Sequence, residues 1–256
     1  MHMRQYTARA FATVGAVTAA VATTAAMAVV GLAGAGAASA STRVPQVMGP
    51  NAYTSFYAGY EVGGGRYFRY VATSVKVPAC QTVAANSAVA NVVLYGGPNV
   101  AQLTVACGGG FDSVTFFDHT FARGFFHLTP GVGDVLRIGI FRDPATNRDN
   151  FSVTNTKTGR VQNVSVATSP SVIYRRANIS AVIDNAHVTP PAADVMLWQF
   201  KDSRVTTFSG DRGSIVGPWT TFKVLDTTTG TVAGTVVMSP SALANSGGDF
   251  TLWLRH

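Results

Sequence analysis

The acidic side chains of this chain are almost all of one type. Twelve residues are aspartate or glutamate, and Glu61 is the single glutamate. The aspartates stand mostly beside turn-forming residues, where completing a turn is the expected role. Glycoside hydrolysis needs two carboxylates facing one bond, and no strand carries an E-x-D-x-E pattern. The acidic residues by themselves therefore indicate no hydrolytic pair.

The histidines and the candidate nucleophiles give little indication of a catalytic or metal site. Asp118 beside His119 is the most suggestive pair, but adjacent residues of a strand point to opposite faces. The sequence has no G-x-S-x-G nucleophile elbow, phosphate loop or dinucleotide fingerprint. No His/Cys cluster has the spacing of a zinc site. A Ser-His-Asp triad stays open, because its members come from distant positions. We expect no metal and no cofactor.

The N-terminus predicts export from the cytoplasm. Arg4 and Arg9 are followed by an uncharged run over residues 11–38, and Ala38-Ser39-Ala40 offers small residues at a cleavage site. We expect a signal peptide over residues 1–40, a secreted protein and no membrane association after cleavage. Retention of the run as a membrane anchor is the alternative, since it is long enough to span a bilayer.

Charge and cysteine content refine this picture. The formal charge is +7, but the basic residues are scattered, whereas a nucleic-acid binder usually shows a basic stripe. We therefore expect no nucleic-acid partner. Arginine outnumbers lysine and alanine is abundant, which suggests a bacterial source.

Cys80 and Cys107 are the only cysteines, and in an exported protein such a pair predicts a disulfide.

Short apolar runs separated by Gly, Pro and Asn predict an all-β fold. Many short strands at turn-punctuated intervals favour an antiparallel two-sheet β-sandwich or a barrel. Residues 41–52 are polar and predict a flexible segment, and residues 53–256 predict a single β-sandwich domain. Residues 151–170 and 222–240 share the pattern F-x-V-x-[ND]-T-x-T-G-x-V, which predicts two hairpins with the same turn chemistry.

The order of segments resembles the glutamic peptidases, the eqolisin or G1 family. The resemblance covers most of the chain after residue 53 with sparse identities, and it implies a concanavalin A-like jelly roll with a concave active-site sheet. The segments that carry it are Tyr57-Ala58-Gly59-Tyr60, Tyr70–Pro78, Val93–Gly97, Val100-Ala101-Gln102-Leu103, Phe116-Phe117-Asp118, Pro130–Ile138, Val153–Gly159 and Ala177-Asn178-Ile179-Ser180.

The resemblance also implies the site residues. The family uses a glutamine that orients water and stabilises the oxyanion, and Gln102 stands in the matching segment. The family's glutamate is the general acid and base, and Asn178 stands in that place. An asparagine has no proton to exchange at useful pH, so activity is in doubt. Asp118 or Asp184 remains open as a substitute carboxylate.

The sequence therefore predicts a monomeric, secreted, glutamic-peptidase-like protein that binds peptide in a concave groove with weak or no peptidase activity. Tyr57, Phe116, Phe117 and Asp118 are the expected substrate-binding residues. Two alternatives stay open: an active acid endopeptidase that uses Gln102 with a non-standard carboxylate, and a lectin-like module that binds polysaccharide.

Overall fold

A computed structural model describes residues 47–79, 88–107, 113–120, 122–183 and 195–255. The predicted signal peptide, Cys80 and Asp184 lie outside these residues. No helix among the described residues is long and apolar enough to cross a bilayer.

The described residues form short strands linked by tight turns, as Val, Thr, Phe and Tyr favour pleated structure. The strands are β1 Val47–Met48, β2 Ala52–Thr54, β3 Ala58–Gly63, β4 Phe68–Lys76, β5 Ala88–Gly96, β6 Asn99–Cys107, β7 Ser113–Asp118, β8 Arg123–Phe126, β9 Val135–Asp143, β10 Arg148–Asn155, β11 Val161–Ala167, β12 Arg176–Ile183, β13 Val195–Thr207, β14 Arg212–Ser214, β15 Thr220–Thr227, β16 Val236–Pro240 and β17 Phe250–Leu254. A single 3-10 turn, Asn245–Gly247, interrupts the described strands.

The strands join into one continuous hydrogen-bonded network. Its first part has the order β8-β7-β6-β5-β12-β3-β15, and its second part has the order β17-β13-β4-β9-β10-β11. β16 pairs with both β15 and β17 and connects the two parts. These pairings are antiparallel, while β1 and β2 each pair in parallel with β15. The all-β prediction is confirmed; the division into two separate sheets stays a prediction.

The alternation of side chains along the strands builds one core. Leu94 on β5 and Leu103 on β6 are fully buried, as are Ile140 on β9 and Phe151 on β10, and all belong to one apolar cluster. Strands from both parts of the network thus share the same interior. The polar residues of these strands lie mainly on their opposite faces.

The two predicted hairpins are present. β10 and β11 pair across a turn in which Gly159 has a φ of +69°, and β15 and β16 pair across a loop in which Gly230 also has a φ of +69°. A left-handed φ of this kind favours glycine. Of the predicted flexible segment 41–52, the part from residue 47 onward contains β1 and the start of β2.

Gly59 permits β3 and β12 to approach closely. A Cβ at this position would lie 2.2 Å from the carbonyl oxygen of Ile179 and 2.6 Å from the Cα of Ser180. Both are backbone atoms, which move only if the strands separate. We expect Gly59→Ala to lower the free energy of unfolding by about 2 kcal/mol or more, as measured by chemical denaturation.

Gly63→Ala is the matched control for this prediction, because it lies on the same strand and its Cβ would meet side-chain atoms at an ordinary 3.7 Å. We expect the control to change stability much less. Equal effects of the two substitutions would contradict the steric explanation.

Candidate functional site

Gln102 and Asn178 lie in one row across the sheet. Gln102 on β6 is directly opposite Val93 on β5, Val93 is opposite Asn178 on β12, and Asn178 is opposite Glu61 on β3. Residues that face each other directly in an antiparallel ladder point to the same side. The row therefore brings three polar side chains to one face, with two strand spacings, about 10 Å, between the Cα atoms of Gln102 and Asn178.

The adjacent rows extend this arrangement. Ser180 is opposite Asn91, which is opposite Thr104, and Arg176 is opposite Tyr95. We call this surface the polar face, and it consists of Glu61, Asn91, Tyr95, Gln102, Thr104, Arg176, Asn178 and Ser180. The same four strands carry apolar side chains on their other side, where they form part of the core.

A hydrogen-bonded network holds Gln102. Its Nε2 donates to Oδ1 of Asn91 and to Oγ1 of Thr104, both at 3.0 Å, and Oγ1 of Thr104 donates to Oδ1 of Asn91 at 2.7 Å. Gln102 remains partly exposed while Asn91 is buried. The network fixes the orientation of the glutamine amide, which suits a residue that positions a ligand or a water molecule.

A second network surrounds Glu61, which is 4% exposed. Its carboxylate accepts hydrogen bonds from the hydroxyls of Tyr57 and Tyr95 and pairs with the guanidinium of Arg176. Burial and the negative charge of Glu61 raise the pKa of Tyr57 to about 12 and raise that of Tyr95 further. The hydrogen bond and charge of Glu61 raise the pKa of Arg176. The tyrosines therefore stay protonated and donate to Glu61.

Asn178 lies between these two networks and joins neither. Its side chain is 3% exposed, and among the described residues neither Oδ1 nor Nδ2 has a hydrogen-bond partner. Tyr95 begins on β5 and reaches Glu61 on β3, so its ring crosses β12 beside Asn178. A buried, unpaired amide costs about 1–3 kcal/mol, and the NH2 group and carbonyl oxygen of Asn178 keep unused hydrogen-bonding capacity.

The aromatic residues expected to bind substrate divide between the two faces. Phe117 is opposite Gln102 and shares its face, and Tyr57 contacts Glu61. Phe116 is opposite Leu103 and packs against the rings of Phe126 and Phe151 on the core side. The structure therefore brings Tyr57 and Phe117 to the polar face and places Phe116 away from it.

Asp118 is also on the core side of its strand. It is fully buried, and its Oδ1 accepts hydrogen bonds from the backbone N–H and the hydroxyl of Thr120, both at 2.8 Å. His119 is the first residue after β7, and its Nδ1 lies 3.3 Å from the same oxygen. We leave Asp118 out of the proposed binding surface.

Asp118 instead faces a second buried aspartate, Asp149 on β10. Burial and a hydrogen bond with Asp118 raise the pKa of Asp149 to about 7. Oδ2 of Asp118 and Oδ1 of Asp149 have no hydrogen-bond partner among the described residues, so one proton placed between them would satisfy both. Tyr174 donates to Asp149 at 2.5 Å, and the guanidinium of Arg142 lies 4.0 Å away.

His119, Asp118 and Asp149 offer three ligand atoms within 4.8 Å of one another, the spacing of a possible cation site. The buried guanidinium of Arg142 already brings a positive charge beside Asp149. When the two aspartates share one proton, the pair carries a charge of −1, which the +1 charge of Arg142 balances. We therefore interpret the cluster as a proton-sharing carboxyl pair.

The predicted disulfide stays a prediction. Cys107 is buried at the end of β6, and Cys80 lies outside the described residues.

Comparison with solved structures shows what this fold resembles. Scytalido-glutamic peptidase with a transition state analog inhibitor superimposes with a TM-score of 0.58 at 14% identity, covering 80% of this chain and 100% of that chain. The same peptidase with a peptide-based transition state analog gives a TM-score of 0.56 at 14% identity, covering 78% and 98%. The chain thus shares the fold of the glutamic peptidases.

Two further solved structures are less similar to this chain, and no conclusion about its fold or function rests on them. Aspergilloglutamic peptidase from Aspergillus niger gives a TM-score of 0.44 at 15% identity, covering 66% of this chain and 98% of that chain. Basic winged bean lectin with Tn-antigen gives a TM-score of 0.33 at 8% identity, covering 48% and 60%. No protein-family model matches the sequence, and the comparison with curated proteins finds no match.

Proposed function

We propose that this chain is a glutamic-peptidase-like protein, folded as a two-sheet jelly-roll sandwich, which binds an extended peptide on its polar face and hydrolyses it weakly or not at all. The observation that carries the proposal is the placement of Asn178. Its buried and unpaired amide stands in line with Gln102, where the resembling sequence motif implies a glutamate.

The chemistry of the polar face fits a peptide ligand. A peptide group presents one N–H donor and one C=O acceptor, and the amide of Asn178 has the complementary acceptor and donor, which a ligand reaches by displacing the side chains that bury it. Gln102 holds a second amide at a fixed orientation nearby. Glu61 and Arg176 add a charge pair, and Phe117 adds an apolar ring. These groups support binding along the row of residues that crosses the strands.

The same arrangement argues against efficient hydrolysis. A general base must accept a proton from water, and a general acid must return it to the leaving amine. Neither Gln102 nor Asn178 titrates in an accessible range. Loss of a general acid and base typically costs ~10²–10⁴-fold in rate.

A second candidate function is an acid endopeptidase that uses Glu61 as its carboxylate. One observation favours it: Glu61 is the direct cross-strand neighbour of Asn178 and belongs to the same row as Gln102. Its oxygens already accept hydrogen bonds from Tyr57, Tyr95 and the guanidinium of Arg176, which leaves little capacity to bind a catalytic water molecule. The first candidate is therefore preferred.

Binding and cleavage are tested together. Fluorescein-labelled octapeptides of random sequence are titrated with the protein at pH 4–7 and followed by anisotropy, and acid-denatured serum albumin is incubated with the protein at pH 2–6. We expect binding without appreciable cleavage, and we expect Gln102→Ala to weaken binding roughly tenfold through lost hydrogen bonds. Gln162→Ala is the control, because Gln162 lies on β11 and donates to the carbonyl of His127.

Two results would count against the preferred function. Cleavage by the wild type that Gln102→Ala and Glu61→Gln both abolish would establish the second candidate. Absence of peptide binding at every pH would remove the peptide ligand.

The remaining sequence-based expectations belong to the same proposal. We propose a monomer exported by its N-terminal segment and closed by a disulfide between Cys80 and Cys107. The apolar run of residues 11–38 and the presence of only two cysteines support this. Mass spectrometry of the exported protein, before and after reduction, tests cleavage after Ala40 and the presence of the bond.

A further inference from the structure

A groove lined by four arginines lies on a different set of strands from the polar face. It crosses β9, β4, β13 and β14, and it has a volume of about 780 Å³. Three of its four arginines are exposed. We call it the arginine groove, after its residues Arg69, Arg137, Arg204 and Arg212.

The groove has an excess of positive charge, with four arginines against two aspartates. Among the described residues, none of the four arginines forms an ion pair. The groove also contains Asp202 and Asp249, but both oxygens of Asp249 already accept hydrogen bonds, from the N–H of Asp202 and the amide of Asn245. The guanidinium groups are therefore available for an anionic ligand.

The positions of the arginines follow from the register of the strands. Arg212 on β14 is opposite Thr206 on β13, in the row that continues to Tyr70 and Phe141. Arg204 is in the next row, opposite Ala72. Three strand spacings separate β9 from β14, so these groups line a surface about 14 Å wide. A ligand that contacts them all must be an extended molecule with several charges.

The strands that carry the groove contain closely packed small residues and a bulge. Gly139 is opposite Ala72, and a Cβ on Gly139 would lie 2.9 Å from the Cβ of Ala72, so a larger side chain is excluded there. The register of β13 shifts between Lys201 and Arg204, and Asp202 within this bulge has a left-handed φ of 52°. Bulges of this kind redirect side chains next to functional sites.

We propose that the arginine groove binds an acidic polysaccharide, a chain of hydroxylated rings that carries carboxylates or sulfates at intervals. Guanidinium groups bind both anions through paired hydrogen bonds. The groove also contains neutral hydroxyl and amide groups, which suit sugar hydroxyls, from Thr206, Ser214, Asn245 and Ser246.

Two other polyanions fit the groove less well. Single-stranded nucleic acid is bound through bases that stack on exposed aromatic rings, but the guanidinium of Arg69 already lies 5.9 Å from the ring centroid of Phe141. An acidic peptide gains much of its affinity by pairing with a free strand edge. β4, β9 and β13 each pair on both sides, and among the described strands of the groove only the three-residue β14 pairs on one side, so most of the groove offers a sheet face instead.

The test measures binding of fluorescently labelled polygalacturonate and of dextran sulfate, which separate the carboxylate and sulfate sources. Neutral dextran, poly-glutamate and a single-stranded DNA oligomer are compared at the same ionic strength. We expect binding of at least one of the two acidic polysaccharides. We expect the double variant Arg204→Gln/Arg212→Gln to bind it roughly 10- to 100-fold more weakly, because two charge-assisted contacts are lost.

The matched control is Arg160→Gln/Arg175→Gln, which removes the same charge from exposed positions outside the groove. The control is expected to bind nearly as well as the wild type. Equal losses in the two double variants would show general charge attraction and overturn the proposal. Preference for DNA or poly-glutamate over both acidic polysaccharides would also overturn it. Peptide binding on the polar face is measured separately and does not decide this outcome.

Discussion

Replacing Asn178 by glutamate is expected to create peptidase activity. The substitution would place a carboxylate on β12, two strands from Gln102 and on the same face. It would supply the group that takes a proton from water and returns it to the leaving amine. We expect hydrolysis of denatured serum albumin at pH 2–6 to rise by ~10²–10⁴-fold over the wild type.

Asn178→Gln is the matched control, since glutamine has the size of glutamate but no titratable proton. It is expected to show no gain. The new glutamate faces Glu61 directly, and a neighbouring like charge raises a carboxyl pKa, so the ionised form that takes a proton from water accumulates toward the upper end of this pH range and activity should rise with pH there. A folded Asn178→Glu variant that binds peptide but shows no increase in cleavage would contradict the assignment of this position.

The buried pair formed by Asp118 and Asp149 is expected to make the protein more stable at pH 4 than at pH 8. The pKa of Asp149 is about 7 in the folded protein, above the ordinary value near 4 in an unfolded chain. The folded state therefore holds this proton more tightly. The stabilisation is complete below pH 4 and is lost as the pH rises through 7, by up to about 4 kcal/mol.

Denaturant unfolding at pH 4, 5, 6, 7 and 8 measures this dependence. Asp149→Asn keeps a donor toward Asp118 and an acceptor for Tyr174 without titrating, so it is expected to flatten the curve between pH 4 and 7. Asp143→Asn is the control, because hydrogen bonds, the largest from Thr146, lower the pKa of Asp143 and its contribution changes only below pH 4. Wild-type stability that is constant or increasing over this range would disprove the shared proton.

The sequence was sufficient to predict that Gln102 and Asn178 lie on one face, because each lies in a segment that resembles a strand of the glutamic peptidase family. It was not sufficient to predict that Glu61 lies beside Asn178. That residue lies early in the chain, and only the long-range pairing of β3 with β12 makes it the neighbour of Asn178. No local pattern encodes such a pairing, since side-chain alternation gives the face of a strand but not its partner.

The faces of the residues expected to bind substrate had a signal within the sequence. Phe116 and Phe117 were both expected to contact substrate, yet adjacent strand residues point to opposite faces. Pairing with Gln102 selects Phe117 for the polar face. The same alternation places Asp118 and Phe116 on the core side, where Phe116 packs on Phe151. The Asp118–Asp149 pair itself joins β7 to β10, and no sequence spacing predicts it.

Because β3 pairs with β12 and β15, it depends on strands that are synthesised much later. Glu61 and Arg176, which form an ion pair, are 115 residues apart in the chain. Contacts over such separations slow folding, since a large loop must close before they form. We expect β3 to be among the last strands to acquire protection from amide hydrogen exchange during refolding, so that ligand binding would return only in the slowest phase.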